Sequence, residues 1–317
     1  MRIVVIGGTG HVGSYLVPRL VRLGHEVVVI SRGAREPYHP DPVWDSVERV
    51  AMDRAKEEAA GTFGARVRDL RPDAVVDMLC FAPASAEQLV EALRGRVRQL
   101  LHCGTIWVHG CPAEPPVTED QRCDPFGEYG IRKYEVQSYL LGQTQRQGFP
   151  ATCLNPGHIV GPGWEPVSPV ACHDMSAFVK LARGEELLLP DLGMETVHHV
   201  HADDVAQAFT NAISHWSSAV GEAFYVVSRS ALTLRGYAET VASWFGRKAN
   251  LRFLPFEEWL ASMPEQHRWS ARAHVEHCSN FSCAKAERLL QYSPRYTSLE
   301  AVRESVNWLI EHGRLEV

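Results

Sequence analysis

The stretch RIVVIGGTGHVGSYL, residues 2–16, constrains this chain more than any other. An apolar, β-branched run ends in Gly7, Gly8, Gly10 and Gly13 and passes directly into a helical periodicity spanning Val12 to Leu23. Only small residues permit so sharp a reversal, let the backbone approach a pyrophosphate and bring the helix close to its strand. The helix N-terminus then faces the anion. A dinucleotide site is the expectation, with Gly7, Gly10 and Gly13 and the intervening His11 and Val12 as its contacts.

The same alternation continues. Strands are expected at 25–32, 47–53, 73–80, 99–110 and 151–157, and helices at Ala55–Leu70, Ala84–Leu93 and Tyr129–Gln147. Strands that alternate with helices imply right-handed crossovers and an α/β fold with a parallel, doubly wound sheet. Beyond residue 163 prolines punctuate the chain around one helix, Met175–Arg183, before the segment 197–209 restores a strand and a helix. Two more helices are expected at Arg235–Trp244 and Leu299–Glu311. The expected partition is a dinucleotide-binding domain over 1–165, to which 197–230 returns, with 166–196 and 231–317 closing over a substrate.

Composition narrows the partners. A hydrophobic share of 45% in 317 residues suffices for a sizeable core. The formal charge of −6 and the scattered arginines speak against nucleic acid. No stretch resembles a secretory leader or a membrane span, so a cytoplasmic protein without a membrane partner is expected. Eight cysteines without a Cys-x-x-Cys pair read as core thiols.

Residues 129–133 read YGIRK, and a spacing of four puts Tyr129 and Lys133 on one helix face. A free phenol ionises near pH ~10, so a catalytic tyrosine needs help from a nearby cation. Upstream, Thr105 ends the strand-like run at the carboxyl edge of the sheet, where open α/β sheets bind ligands. Thr105, Tyr129 and Lys133 form the candidate catalytic set.

Taken in order, the segments GGTGHVG (7–13), Asp53, GTIWVHG (104–110), YGIRK, NPGHIVGPG (155–163), HADDVA (201–206) and the closing AKAERLL…VNWL resemble the extended short-chain dehydrogenase/reductase superfamily. This group contains the NAD-dependent epimerases and dehydratases of nucleotide sugars. The resemblance covers nearly the whole chain and implies a Rossmann-type sheet and a homodimer. It implies Tyr129 as acid or base on a substrate hydroxyl, Thr105 as its orienting partner, and Lys133 as the holder of the nicotinamide ribose that lowers the tyrosine pKa. It also implies that Asp53 meets the adenine amine.

The chain departs from that pattern in ways that bear on the substrate. Dehydratases carry an Asp-Glu pair after the threonine, where this chain has Ile106 and Trp107, so a dehydratase is not expected. His158 stands where epimerases usually have asparagine, and Val197 and His198 stand where an arginine commonly holds the substrate diphosphate. Arg272 is a second, loosely aligned phosphate-binding candidate. His199 and His201 share a face of an extended segment, a spacing that suits a metal, but the resemblance assigns His201 and Asp204 to tying this segment to the sheet. No metal is therefore expected. Trp107, His158, His198 and His199 are the candidate substrate contacts.

About 20 residues past the glycine loop, where a carboxylate would accept the adenosine ribose of NAD, the chain has Ser31 followed by Arg32. Serine removes the repulsion of a 2′-phosphate and arginine offers donors to it, so NADP is favoured over NAD. The expected function is NAD(P)-dependent oxidation, reduction or epimerisation at a secondary hydroxyl of a sugar or nucleotide-sugar-like substrate. The alternative is a nucleotide-binding regulator of the same fold without turnover.

Overall fold

The run Arg2–Ile6 (β1) is buried on both faces, as its unbroken apolar character requires, and pairs in parallel with β2 (Glu26–Ser31) and with β4 (Ala74–Asp77). The computed structural model describes all residues 1–317. Outward from that centre lie β3 (Glu48–Ala51) beyond β2, and β5 (Gln99–Cys103), β6 (Ala151–Pro156) and a last strand, Ala223–Val226, beyond β4. All six pairings in this seven-stranded sheet are parallel. Chain order reverses between β1 and β4, and this switch point opens the crevice above the carboxyl ends of the strands.

Alternation along the strands divides the core. Ile3, Val5, Val29, Val76 and Leu101 face one side, against Gly13–Arg22 and Ala202–Ser214. Val4, Ile6, Val28, Val75 and Leu100 face the other, against Phe63–Asp69, Pro83–Leu93 and Gly127–Gln147. A separate core joins Phe178, Leu189, Tyr237, Trp259 and Val302, drawn from segments beyond residue 160. Residues such as Phe281, Leu290 and Tyr292 of the C-terminal portion instead pack against the main sheet.

Two local differences from expectation matter. The expected helix over 55–70 is two helices, Arg54–Ala59 and Phe63–Asp69, because Gly61 between them takes φ +69°. The run at 99–110 leaves the sheet after Cys103 and turns into a 3-10 segment, Ile106–Val108, capped by the Thr105 hydroxyl accepting from the Trp107 amide at 3.3 Å. A small parallel pair, His158–Val160 with His199–His201, sets His158 directly opposite His199.

Candidate functional site

The glycine loop follows β1 as a tight cradle. Gly7 sits at φ +82° and the Gly10 amide donates to its carbonyl at 3.0 Å. A Cβ at Gly13 would collide with the Gly8 backbone, so this position admits no side chain without moving the helix off the strand. Beside the loop lies a cleft of about 570 Å³, bordered by Gly7, Gly10, Ser31, Arg32, Arg35 and Asp53 among others. Asp53 caps the following helix by accepting from the Lys56 amide at 3.4 Å. The Arg54 guanidinium is occupied by Asp77 and Glu58, both at 2.6 Å. Arg32 is exposed at the cleft and makes no ion pair. Ser31 Oγ accepts from the Gly33 amide at 3.2 Å. Val12 is buried in the sheet core. The His11 ring lies flat on Trp164, with centroids 5.0 Å apart, and only its backbone remains to line the loop.

Thr105, Tyr129 and Lys133 converge at the carboxyl end of β5. The Thr105 amide donates to Asn155 Oδ1 at 3.2 Å, and Asn155 Nδ2 donates to Gln137 at 2.7 Å, which ties β5, β6 and the Tyr129 helix together. Gly104 is needed because a Cβ there would overlap the Asn155 amide oxygen. Tyr129 keeps 40% of its surface exposed, yet enclosure of its polar end pushes its pKa up to about 12. The hydrogen bond with Thr105 pulls the other way. Lys133 is 2% exposed, and its Nζ donates to the carbonyls of Cys80 and Cys103 at 2.8 and 2.9 Å. Burial lowers its pKa, and two of its three N–H groups are spent.

Next to this set stands a wall of imidazoles and aromatic rings. Trp107 is stacked on His277 with centroids 4.2 Å apart and meets Tyr129 and His274 edge-on at 5.8 and 5.1 Å. His158 lies 4.9 Å from His274 and 5.7 Å from His199. Its Nδ1 accepts from the His198 amide at 3.2 Å, which leaves the buried Nε2 unpartnered. His199 Nε2 donates to the Val167 carbonyl at 2.9 Å. His198 is fully buried, with Nε2 on the Ser228 carbonyl at 2.9 Å and Nδ1 accepting from the Phe281 amide at 3.2 Å, so both nitrogens pin backbone and neither faces open space. Burial drives the pKa of His198 to about 4 and that of His199 to about 3, and holds His158 well below the usual histidine range. His201 caps the next helix by accepting from the Asp203 amide at 3.0 Å, and Asp204 accepts from the amides of Arg295 and Tyr296 at 2.9 and 3.1 Å.

Residues 3–227 match the family described as NAD dependent epimerase/dehydratase. The chain belongs to the NAD-dependent epimerase/dehydratase family. A 2'-dehydrokanamycin reductase of Streptomyces kanamyceticus is 28% identical over 315 residues, 99% of this chain and 86% of that protein. The chloroplast stem-loop binding protein of 41 kDa b of Arabidopsis thaliana is 24% identical over 99% of this chain and 80% of its own. The UDP-glucuronic acid 4-epimerase of Bacillus cereus, solved with UDP-glucuronic acid and NAD, has the same fold, with a TM-score of 0.73 at 17% identity over 98% of this chain and all of that one.

This family member carries site features that its linear motifs do not announce. His274 and His277 come from the helix Glu265–His277, and Trp164 and Tyr38 close around His11. Only helical spacing hinted at the first pair. Trp164, three residues past Gly161, had a weak signal in its place just after the NPGHIVGPG segment.

Proposed function

We propose that this protein interconverts a secondary hydroxyl and its ketone on a sugar-like substrate, with Tyr129 moving the proton. The observation that carries this reading is the convergence of Thr105 and Tyr129 at the carboxyl end of β5, beside a lysine held by the Cys80 and Cys103 carbonyls. The glycine cradle and the adjoining cleft fit a nicotinamide dinucleotide, because no Cβ blocks the loop and Arg32 has no carboxylate to neutralise it. When bound, that cofactor supplies or accepts the hydride. Gly7, Gly10, Gly13 and the backbone of His11 and Val12 would hold its phosphates, and Asp53 its adenine. The third N–H of Lys133 is free for a ribose hydroxyl. Ser31 and Arg32 favour NADP, since the serine carries no charge to repel a 2′-phosphate and the arginine attracts one.

The direction that suits the free protein is reduction. A tyrosine whose pKa lies at about 12 holds its proton at neutral pH and can give it to a carbonyl oxygen. Thr105 then donates to the phenolate as it forms. The likeness to a reductase over 99% of the chain supports the same direction. Tyr129→Phe is the test: cofactor affinity is expected to stay unchanged while ketone reduction falls by about a hundredfold or more, the usual worth of a general acid. Retention of wild-type turnover by the variant would refute the role.

A further inference from the structure

The loop over residues 32–41, which follows β2, carries a second arginine at the cofactor cleft. Arg35 borders that cleft of about 570 Å³ together with Gly10, Ser31 and Arg32. The carboxylates around it are engaged elsewhere: Glu36 with Arg49 at 2.9 Å, Glu58 with Arg54 at 2.6 Å and Asp53 with Lys56 at 3.9 Å. Arg35 is exposed, and its Nη1 donates to the Tyr38 hydroxyl. A guanidinium has five N–H groups in a rigid fork, so the others stay open to an anion.

Tyr38 is itself held from several sides. Its amide donates to Ser14 Oγ at 2.8 Å, and that hydroxyl donates to the Gly10 carbonyl at 2.8 Å, which ties the loop to the glycine cradle. Its ring meets His11 and Trp164 edge-on, each at a centroid distance of 5.6 Å. Gly163, at φ +84°, lets the ring come close; a Cβ there would stand 3.1 Å from it. Trp164 lies flat on His11, and its carbonyl accepts from the Ser305 hydroxyl of the helix Ser298–Glu311. The position of Arg35 is thereby set jointly by the glycine loop and the C-terminal helix. An arginine held before binding has less side-chain freedom to lose when it grips a phosphate.

We infer that Tyr38 and Trp164 are positioning residues for cofactor choice: they hold Arg35 at the cleft as a second cation, beside Arg32, for the 2′-phosphate of NADP. The inference rests on the reading of Ser31 and Arg32 as favouring NADP, and paired titrations separate the two. Dissociation constants for NADP and NAD are measured by calorimetry on wild type and on Arg32→Ala, Arg35→Ala, Tyr38→Phe, Trp164→Ala and Trp164→Phe. Arg35→Ala is expected to raise the NADP constant about tenfold, the loss of one charge-assisted phosphate contact, and to leave that for NAD nearly unchanged. Tyr38→Phe removes only the hydroxyl and should raise the NADP constant about threefold, near the low end of what one hydrogen bond contributes, with NAD again unchanged. Trp164→Ala should lower the preference for NADP over NAD by about the same factor, and Trp164→Phe, which keeps an aromatic face for Tyr38, should restore most of it. A merely structural role would weaken both cofactors alike and leave their ratio at the wild-type value. That outcome for Tyr38→Phe and Trp164→Ala, or equal losses of both cofactors in Arg35→Ala, would overturn the inference. A selective NADP loss in Arg32→Ala with none in Arg35→Ala would overturn it and spare the reading of Arg32. An Arg32→Ala variant with wild-type constants, beside a selective NADP loss in Arg35→Ala, would sink the reading of Arg32 alone.

Discussion

The two hollows at the carboxyl edge of the sheet are built on opposite principles. The cofactor cleft is wide and shaped by backbone: glycines without side chains, an uncapped cation in Arg32, and a serine where a carboxylate would stand. The cavity beside Tyr129 is small and shaped by side chains, with stacked Trp107, His277 and Phe126 and an arginine neutralised by two glutamates. The first presents a cation without a partner in Arg32, the second a cation already paired in Arg272.

That contrast breaks most readily at the glycine loop. Gly13→Ala places a methyl group against the Gly8 backbone, and overpacking of this kind costs about 1–3 kcal/mol. A lower melting temperature and weakened cofactor binding are expected. An alanine variant with wild-type cofactor affinity would show that the loop is looser than described.

Acid separates the two regions next. Burial holds His11 and His199 at a pKa of about 3 and His198, His274 and His277 at about 4, against an ordinary value of 6.5. As pH falls below 6.5 the unfolded chain takes up protons that the folded one refuses, so the stabilisation is complete above that pH and is lost on the way down to about 4. Each such histidine contributes a slope of about 1.4 kcal/mol per pH unit. Melting temperature is expected to be flat near neutrality and to drop steeply across this window. A flat profile down to pH 4 would mean that the imidazoles are not enclosed.

The smallest effect sharpens the charge argument. Arg32→Ala should raise the dissociation constant for NADP about tenfold, as expected for loss of one charge-assisted phosphate contact, and leave that for NAD nearly unchanged. Equal losses for both cofactors would assign Arg32 to the adenine face instead.

The two hollows also differed in how much of each could be read from sequence. The cleft was legible because its parts are consecutive or follow a fixed offset: Gly7 to Gly13 in one turn, and Ser31 and Arg32 at the end of the next strand. The second cavity draws Trp107, Phe126, Trp269 and His277 from three distant segments, and no local spacing connects them. His198 illustrates the gap. In sequence it is one of a cluster of histidines, but in the fold its ring is spent on the Ser228 carbonyl and the Phe281 amide. Sequence also counted Arg272 as a cation, because the neutralising Glu257 arrives from the preceding helix, Phe256–Ser262.

The central claim is that Tyr129 exchanges its proton next to the nicotinamide end of the cofactor. An ultraviolet difference titration tests it without any substrate, comparing wild type with Tyr129→Phe in the free, oxidised-cofactor and reduced-cofactor states. The free protein should show no Tyr129 phenolate below a pH of about 12. With the positively charged oxidised cofactor bound, a phenolate signal absent from Tyr129→Phe should appear at least ~1 unit lower, and the reduced cofactor should leave it in place. Identical titrations in all three states would place the cofactor too far from Tyr129 for the proposed reaction.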